Sequence, residues 1–138
     1  MTTIRHTRAR RRLRVNDRGS ASTEVVLYAP LLFLLVLIGV QLALWALAQL
    51  GIQHAANHAL QTTRVSGGTA AAGTADATTV LDQVAGRAVD NPQVSVARSA
   101  DTATVAIAGR VPTVVPFLRL RVDTRVSAPV ERFRPEVG

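Results

Sequence analysis

The chain of 138 residues has no cysteine. That excludes disulfides, a thiol nucleophile and a cysteine-ligated metal. It has no lysine either, and its sixteen basic residues are all arginine. Aromatic residues make up only 4%, and none lies among the first eighteen residues, where arginine is densest. Single-strand nucleic-acid platforms stack bases on aromatics beside the cations, so nucleic acid is not expected as a partner. The histidines are His6, His54 and His58 alone, and the acids beyond residue 60 stand singly. No Walker loop, G-x-S-x-G, H-E-x-x-H or glycine-rich phosphate loop is present. Nothing pairs a nucleophile with a base. The expectation is a protein that is not an enzyme, with no cofactor, no metal and no small-molecule substrate.

What the chain does have is an apolar run from Val25 to Ala48, in which only Gln41 is plainly polar and nothing is charged. As a helix its 24 residues span about 36 Å, enough to cross a hydrocarbon core of about 30 Å. The net charge of +7 is concentrated in front of it. Residues 1–18 hold seven arginines against Asp17, whereas nine arginines face seven acids from Leu60 onward. Arginines beside a membrane helix stay in the cytoplasm. Arg10, Arg11, Arg12, Arg14 and Arg18 therefore predict a cytoplasmic N-terminus, a single pass and an extracytoplasmic C-terminal part. The rival is a basic tail that binds nucleic acid. The membrane run that follows at once favours topology, with anionic lipid headgroups in reach of the same arginines.

Between arm and run lies Arg18-Gly19-Ser20-Ala21-Ser22-Thr23-Glu24, with Pro30 six residues after the carboxylate. One reading is capping: Ser20 or Ser22 caps a helix, and Glu24 sits in its first turn, where the helix dipole favours an anion. Pro30 then falls early in the helix and is expected to kink it.

The same residues resemble the leader junction of type IV prepilins: basic residues, Gly19, four small residues, Glu24 and a long apolar helix. The spacing from Glu24 to Pro30-Leu31-Leu32 is closer still to the TadE-like family, small single-pass proteins of the tight-adherence (Flp-type) pilus apparatus. The resemblance covers residues 18–60 well and extends loosely to the C-terminus through a small valine-rich domain and Pro129-Val130-Glu131-Arg132-Phe133. It implies a membrane peptidase cutting after Gly19, a new N-terminus at Ser20, and a Glu24 that neutralises a neighbouring subunit's terminal amine. The implied partners are the lipid bilayer, pilin-like subunits or pilus assembly machinery, and the prepilin peptidase. The sequence departs from Flp-type pilins at Val25, where tyrosine is usual, with Tyr28 three places on. A third reading is a secretory signal cut after Ala46-Leu47-Ala48, but its apolar region is far longer than the 7–15 residues such signals use.

Beyond Ala48 the pattern changes without a break. Leu50, Ile52, Ala55, Ala56, Ala59 and Leu60 recur at helical spacing among polar residues. This predicts one helix over residues 20–65, with Trp45 and Gln49 at the outer membrane interface. His54 and His58 share a helix face without an intervening Glu, which reads as a solvated face rather than a metal site. A small-residue linker over 66–75 is expected, ended by a short helix capped by Asp76 or Thr78 and closed by Asn91-Pro92. Period-2 alternation then predicts strands at 93–98, 102–108 and 118–126. Val111–Leu118, with two prolines, is a loop or edge segment suited to partner contact or to packing on its own sheet.

The expected fold is α+β. A basic arm or leader (1–19) precedes the long helix (20–65) and linker (66–75); a small domain (76–131) and a tail (132–138) follow. The expected function is structural, in assembly of a tight-adherence pilus or related secretion apparatus. The alternatives are a generic membrane-anchored envelope interaction module and a secreted binding domain released after Ala48.

Overall fold

A computed structural model describes residues 18–131, with side chains from Val25 onward. Helix α1 (Arg18–Arg64) is followed by α2 (Ala70–Val84) and strands β1 (Asp90–Arg98), β2 (Thr102–Arg110) and β3 (Arg121–Pro129). The class is α+β. The chain divides into two units, residues 1–34 and 35–138. As described, the first is helical throughout from Arg18. Its apolar side chains from Val25 to Phe33 are exposed.

The second unit holds the rest of α1, α2 and the sheet. The second half of α1 belongs to its core. Ala48, Ile52, Ala55, Ala56 and Ala59 are fully buried together with Ala77 and Leu81 of α2 and Val105, Ile107 and Val122 of the sheet. A three-stranded sheet needs a second layer to cover its apolar face, and α1 with α2 supplies it.

Helix α1 contains Pro30 and no other proline. Beyond it the run of Leu, Ala and Gln favours helix at nearly every position. The helix stops at Arg64. Gly67 then adopts φ 79°, the left-handed conformation glycine takes at no steric penalty. The last carbonyls are taken up by the domain itself. Arg98 donates through Nη1 to the oxygens of Thr63 and Val65, and the Glu131 N–H donates to the Arg64 oxygen at 2.9 Å. Arg64 and Glu131 also pair at 3.3 Å.

Helix α2 starts six residues before Asp76. Thr69 is the N-cap, its hydroxyl accepting from Ala72 N–H at 3.0 Å. The segment expected as linker, Ala70–Ala75, is helical because alanine is the strongest helix former. Asp76 lies inside the helix rather than at its cap. The two helices run antiparallel and close. An added Cβ at Gly51 would stand 2.7 Å from Ala85 Cβ, and one at Gly73 would overlap Thr63 Oγ1.

The strands form an antiparallel sheet in the order β1-β2-β3. Val94 pairs with Ile107, Val96 with Val105, and Val105 in turn with Val126, so the alternating residues share the inner face. β1 begins at Asp90 rather than 93, through an irregular register between Asp90 and Gln93 where Asn91 has φ 49°. β3 is displaced to Arg121–Pro129. The Leu118 N–H turns back to Val115 O at 2.9 Å, and only at Leu120, whose O accepts from Val111 N–H at 3.0 Å, does cross-strand bonding to the β2 side begin.

Replacing Gly73 with valine should lower stability by about 1–3 kcal/mol, because the buried Thr63 hydroxyl, bonded to Ala59 O, cannot move aside. Chemical denaturation of the full chain in detergent checks this.

Candidate functional site

The junction residues Arg18, Gly19, Ser20 and Glu24 all lie on α1, as does Pro30. Because the helix already runs at Arg18, Ser20 and Ser22 stand within it instead of capping it. Glu24 is correspondingly past the first turn, which holds no acid. The small residues ahead of Glu24 contain no helix breaker, so the apolar helix propagates back through them. Ser20 and Glu24 are one helical turn apart. Arg10, Arg11, Arg12 and Arg14 lie outside the described residues.

Downstream, the apolar side chains stay exposed around the helix, among them Leu31, Leu32, Phe33, Leu35, Val36, Val40, Leu42 and Leu47. A helix apolar on all sides requires an apolar surrounding. From Val25 onward α1 is long and apolar enough to cross a membrane.

Gln41, the one polar residue of the run, is 0% exposed. Its Nε2 donates to Pro112 O at 3.1 Å, and its Oε1 accepts from the N–H groups of Val114 and Val115 at 2.7 and 3.3 Å. One and two turns further on, Trp45 Nε1 donates to Arg121 O at 3.2 Å, and Gln49 Nε2 to Asp123 O at 3.1 Å. Helical positions four apart advance about 6 Å, and strand positions two apart advance about 6.6 Å. Trp45 and Gln49 therefore match alternate carbonyls along the free edge of β3. Residues expected to mark the membrane interface also hold the domain to the helix.

Residues 19–60 match the family model of TadE-like proteins. Over that stretch the chain resembles TadE-like proteins. No curated protein and no solved structure matches it. The TadE-like stretch begins at Gly19 and takes in Glu24, Pro30, the apolar run and the amphipathic extension through Leu60. It stops before α2 and the sheet, so the looser likeness expected toward the C-terminus lies outside it.

Within the TadE-like extension, His58 Nδ1 lies 2.6 Å from Asp76 Oδ2, and Thr62 Oγ1 donates to the same oxygen at 2.8 Å. His54 stands beside His58 with ring centroids 6.5 Å apart. Partial burial opposes ionisation of Asp76, but the hydrogen bonds from His58 and Thr62 and the histidine's charge outweigh it. Its carboxyl is thus held below the ordinary range. Among the described residues no group of three or more His, Asp or Glu side chains is placed to hold a metal ion.

The contacts of Gln41 and Arg98 are not among those expected from the sequence. The signal for Gln41 was present, as a lone amide in an apolar run and the first of three hydrogen-bonding residues at four-residue spacing. Nothing local marks Arg98, whose acceptors are 35 and 33 positions away.

Gln41→Leu should destabilise the domain by about 1–3 kcal/mol, since it strands buried backbone groups of residues 112–115. Faster proteolysis of that loop in detergent is the expected readout. The Asp76 contribution has a defined sign. A carboxyl depressed in the folded state stabilises above its unfolded pKa, about 3.9, and that stability is lost as pH falls through the folded value. Asp76→Asn should therefore flatten the loss of stability below about pH 4, measured by denaturation across pH.

Proposed function

We propose that the chain is a pilin-related, single-pass membrane protein that acts, without catalysis, in assembly of a tight-adherence pilus or a related secretion apparatus. The match of residues 19–60 to TadE-like proteins carries this reading. In this reading the arginine arm stays in the cytoplasm, α1 crosses the membrane, and α2 with the sheet lies outside. Gly19 is the peptidase site, and Glu24 neutralises the terminal amine of a neighbouring pilin-like subunit. That charge pair supports ordered packing of apolar helices, because an unpaired carboxylate in hydrocarbon is costly.

A generic anchored interaction module is the second reading, favoured by the end of the family match at residue 60. Release after Ala48 fits the geometry poorly. Ala48 is fully buried within α1, and a cut there would remove Gln41 and Trp45 from the loop and strand they bind.

Two measurements on membrane-extracted protein test the proposal. The mature N-terminus should be Ser20, and Met1 or Thr2 would exclude leader cleavage. Glu24→Ala should leave expression and membrane fractionation unchanged but reduce pilus assembly severalfold or more. Wild-type assembly by that variant would count against the pilin-related role and favour the generic anchor.

A further inference from the structure

The loop between β2 and β3, Pro112–Leu118, presents two faces. Val115 is buried in the core, whereas Phe117 is 72% and Val114 38% exposed. Gln41 fastens this loop to α1 at a residue seven positions before the end of the apolar run. Counted from Val25, sixteen residues precede Gln41. They make about 24 Å of helix, short of a hydrocarbon core of about 30 Å. A bilayer crossed by this run therefore reaches past the level of Gln41, and the loop lies at that depth. A polar loop there would meet a large desolvation penalty, but this one offers valine, proline and phenylalanine.

Beside the loop is an open cavity of about 460 Å³ lined by Arg110, Arg119, Arg121, Thr113, Asn91 and Asp90, among others. Three arginines thus line it with one acidic residue, Asp90. No ion pair engages those three arginines among the described residues. Trp45 marks the same level of α1 by its bond to Arg121 O. An apolar tip followed by arginine and tryptophan is the order of groups that a membrane interface selects.

We propose that this end of the domain is a second membrane contact. Val114 and Phe117 enter the acyl boundary, and Arg110, Arg119 and Arg121 hold the phosphate of an anionic lipid headgroup. The proposal rests on the reading that α1 spans a bilayer. Continuity with the apolar run, through the buried Gln41, identifies lipid as the occupant.

The absence of cysteine permits single-site labelling of the full chain in phosphatidylcholine vesicles, with and without phosphatidylglycerol. An environment-sensitive fluorophore is placed at Leu35→Cys, Phe117→Cys or Asn57→Cys. Spin-labelled lipid should quench the labels at 35 and 117 and spare the one at 57. A label at 117 as unquenched as that at 57, with 35 quenched, overturns the second contact and leaves the span intact. An unquenched label at 35 overturns the span and this proposal with it.

The arginines are read through Trp45, the one tryptophan of the chain. Brominated phosphatidylglycerol should quench it in preference to brominated phosphatidylcholine, by about fivefold for each engaged arginine. The R110Q/R119Q/R121Q variant should lose that preference, and R119Q alone should lose part of it should the triple variant fail to fold. An unchanged preference overturns the arginine assignment. Loss of the preference on adding inorganic phosphate would make this a free-anion site and overturn the lipid assignment.

Discussion

The buried stripe of α1 from Ala48 through Ile52, Ala55, Ala56 and Ala59 is the surface against which α2 and the sheet pack. Fewer than seventy described residues follow α1. That many, with three strands and one short helix, bury too little apolar surface to stand alone comfortably. Small side chains along the stripe let α2 approach until Gly51 meets Ala85 and Gly73 meets Thr63. The valines and isoleucine of β1 and β2 fill the remaining space. Removing α1 would expose this core, so the helix is both part of the domain and its route toward the apolar run.

The free edge of β3 illustrates how that dual role is achieved. An edge strand presents unpaired carbonyls that invite unwanted pairing. Here two of them, at Arg121 and Asp123, accept from Trp45 and Gln49, while Gln41 satisfies the loop just ahead of the strand. At the other end of β3, Glu131 and Arg98 return the favour to the last carbonyls of α1. Helix and strand are thus tied at both ends by polar groups, with apolar packing between. The TadE-like match covers the helical half of this arrangement and leaves out the strands that complete it.

The fold was legible wherever burial imposes a period on the sequence. Val94, Val96, Val105 and Ile107 alternate, and they line one face of a hairpin as alternation requires. The long helix was legible because Val25–Leu60 lacks any strong break apart from Pro30. Reading failed where short-range chemistry competes. Ala70–Ala75 looked like linker because its residues are small, yet a threonine cap turned it into helix. β3 began three residues late because Leu118 closes a turn on Val115. Serines 20 and 22 looked like caps but lie inside the helix. Of the junction, the spacing of Gly19, Glu24 and Pro30 was readable, since the family resemblance resides in that spacing.

The sequence by itself determined a long apolar helix with a basic arm before it, a junction whose spacing resembles that of TadE-like proteins, and strands after it. Each follows from local composition or from a repeat of two or about 3.6 residues, which needs no knowledge of distant partners. Tertiary structure alone decided that Gln41 is buried against residues 112–115, that Asp76 meets His58, and that Arg98 closes the end of α1. Those contacts join positions 18 to 74 residues apart. Backbone carbonyls and amides, present at nearly every position, supply most of the partners, so no side-chain pattern in the sequence announces them.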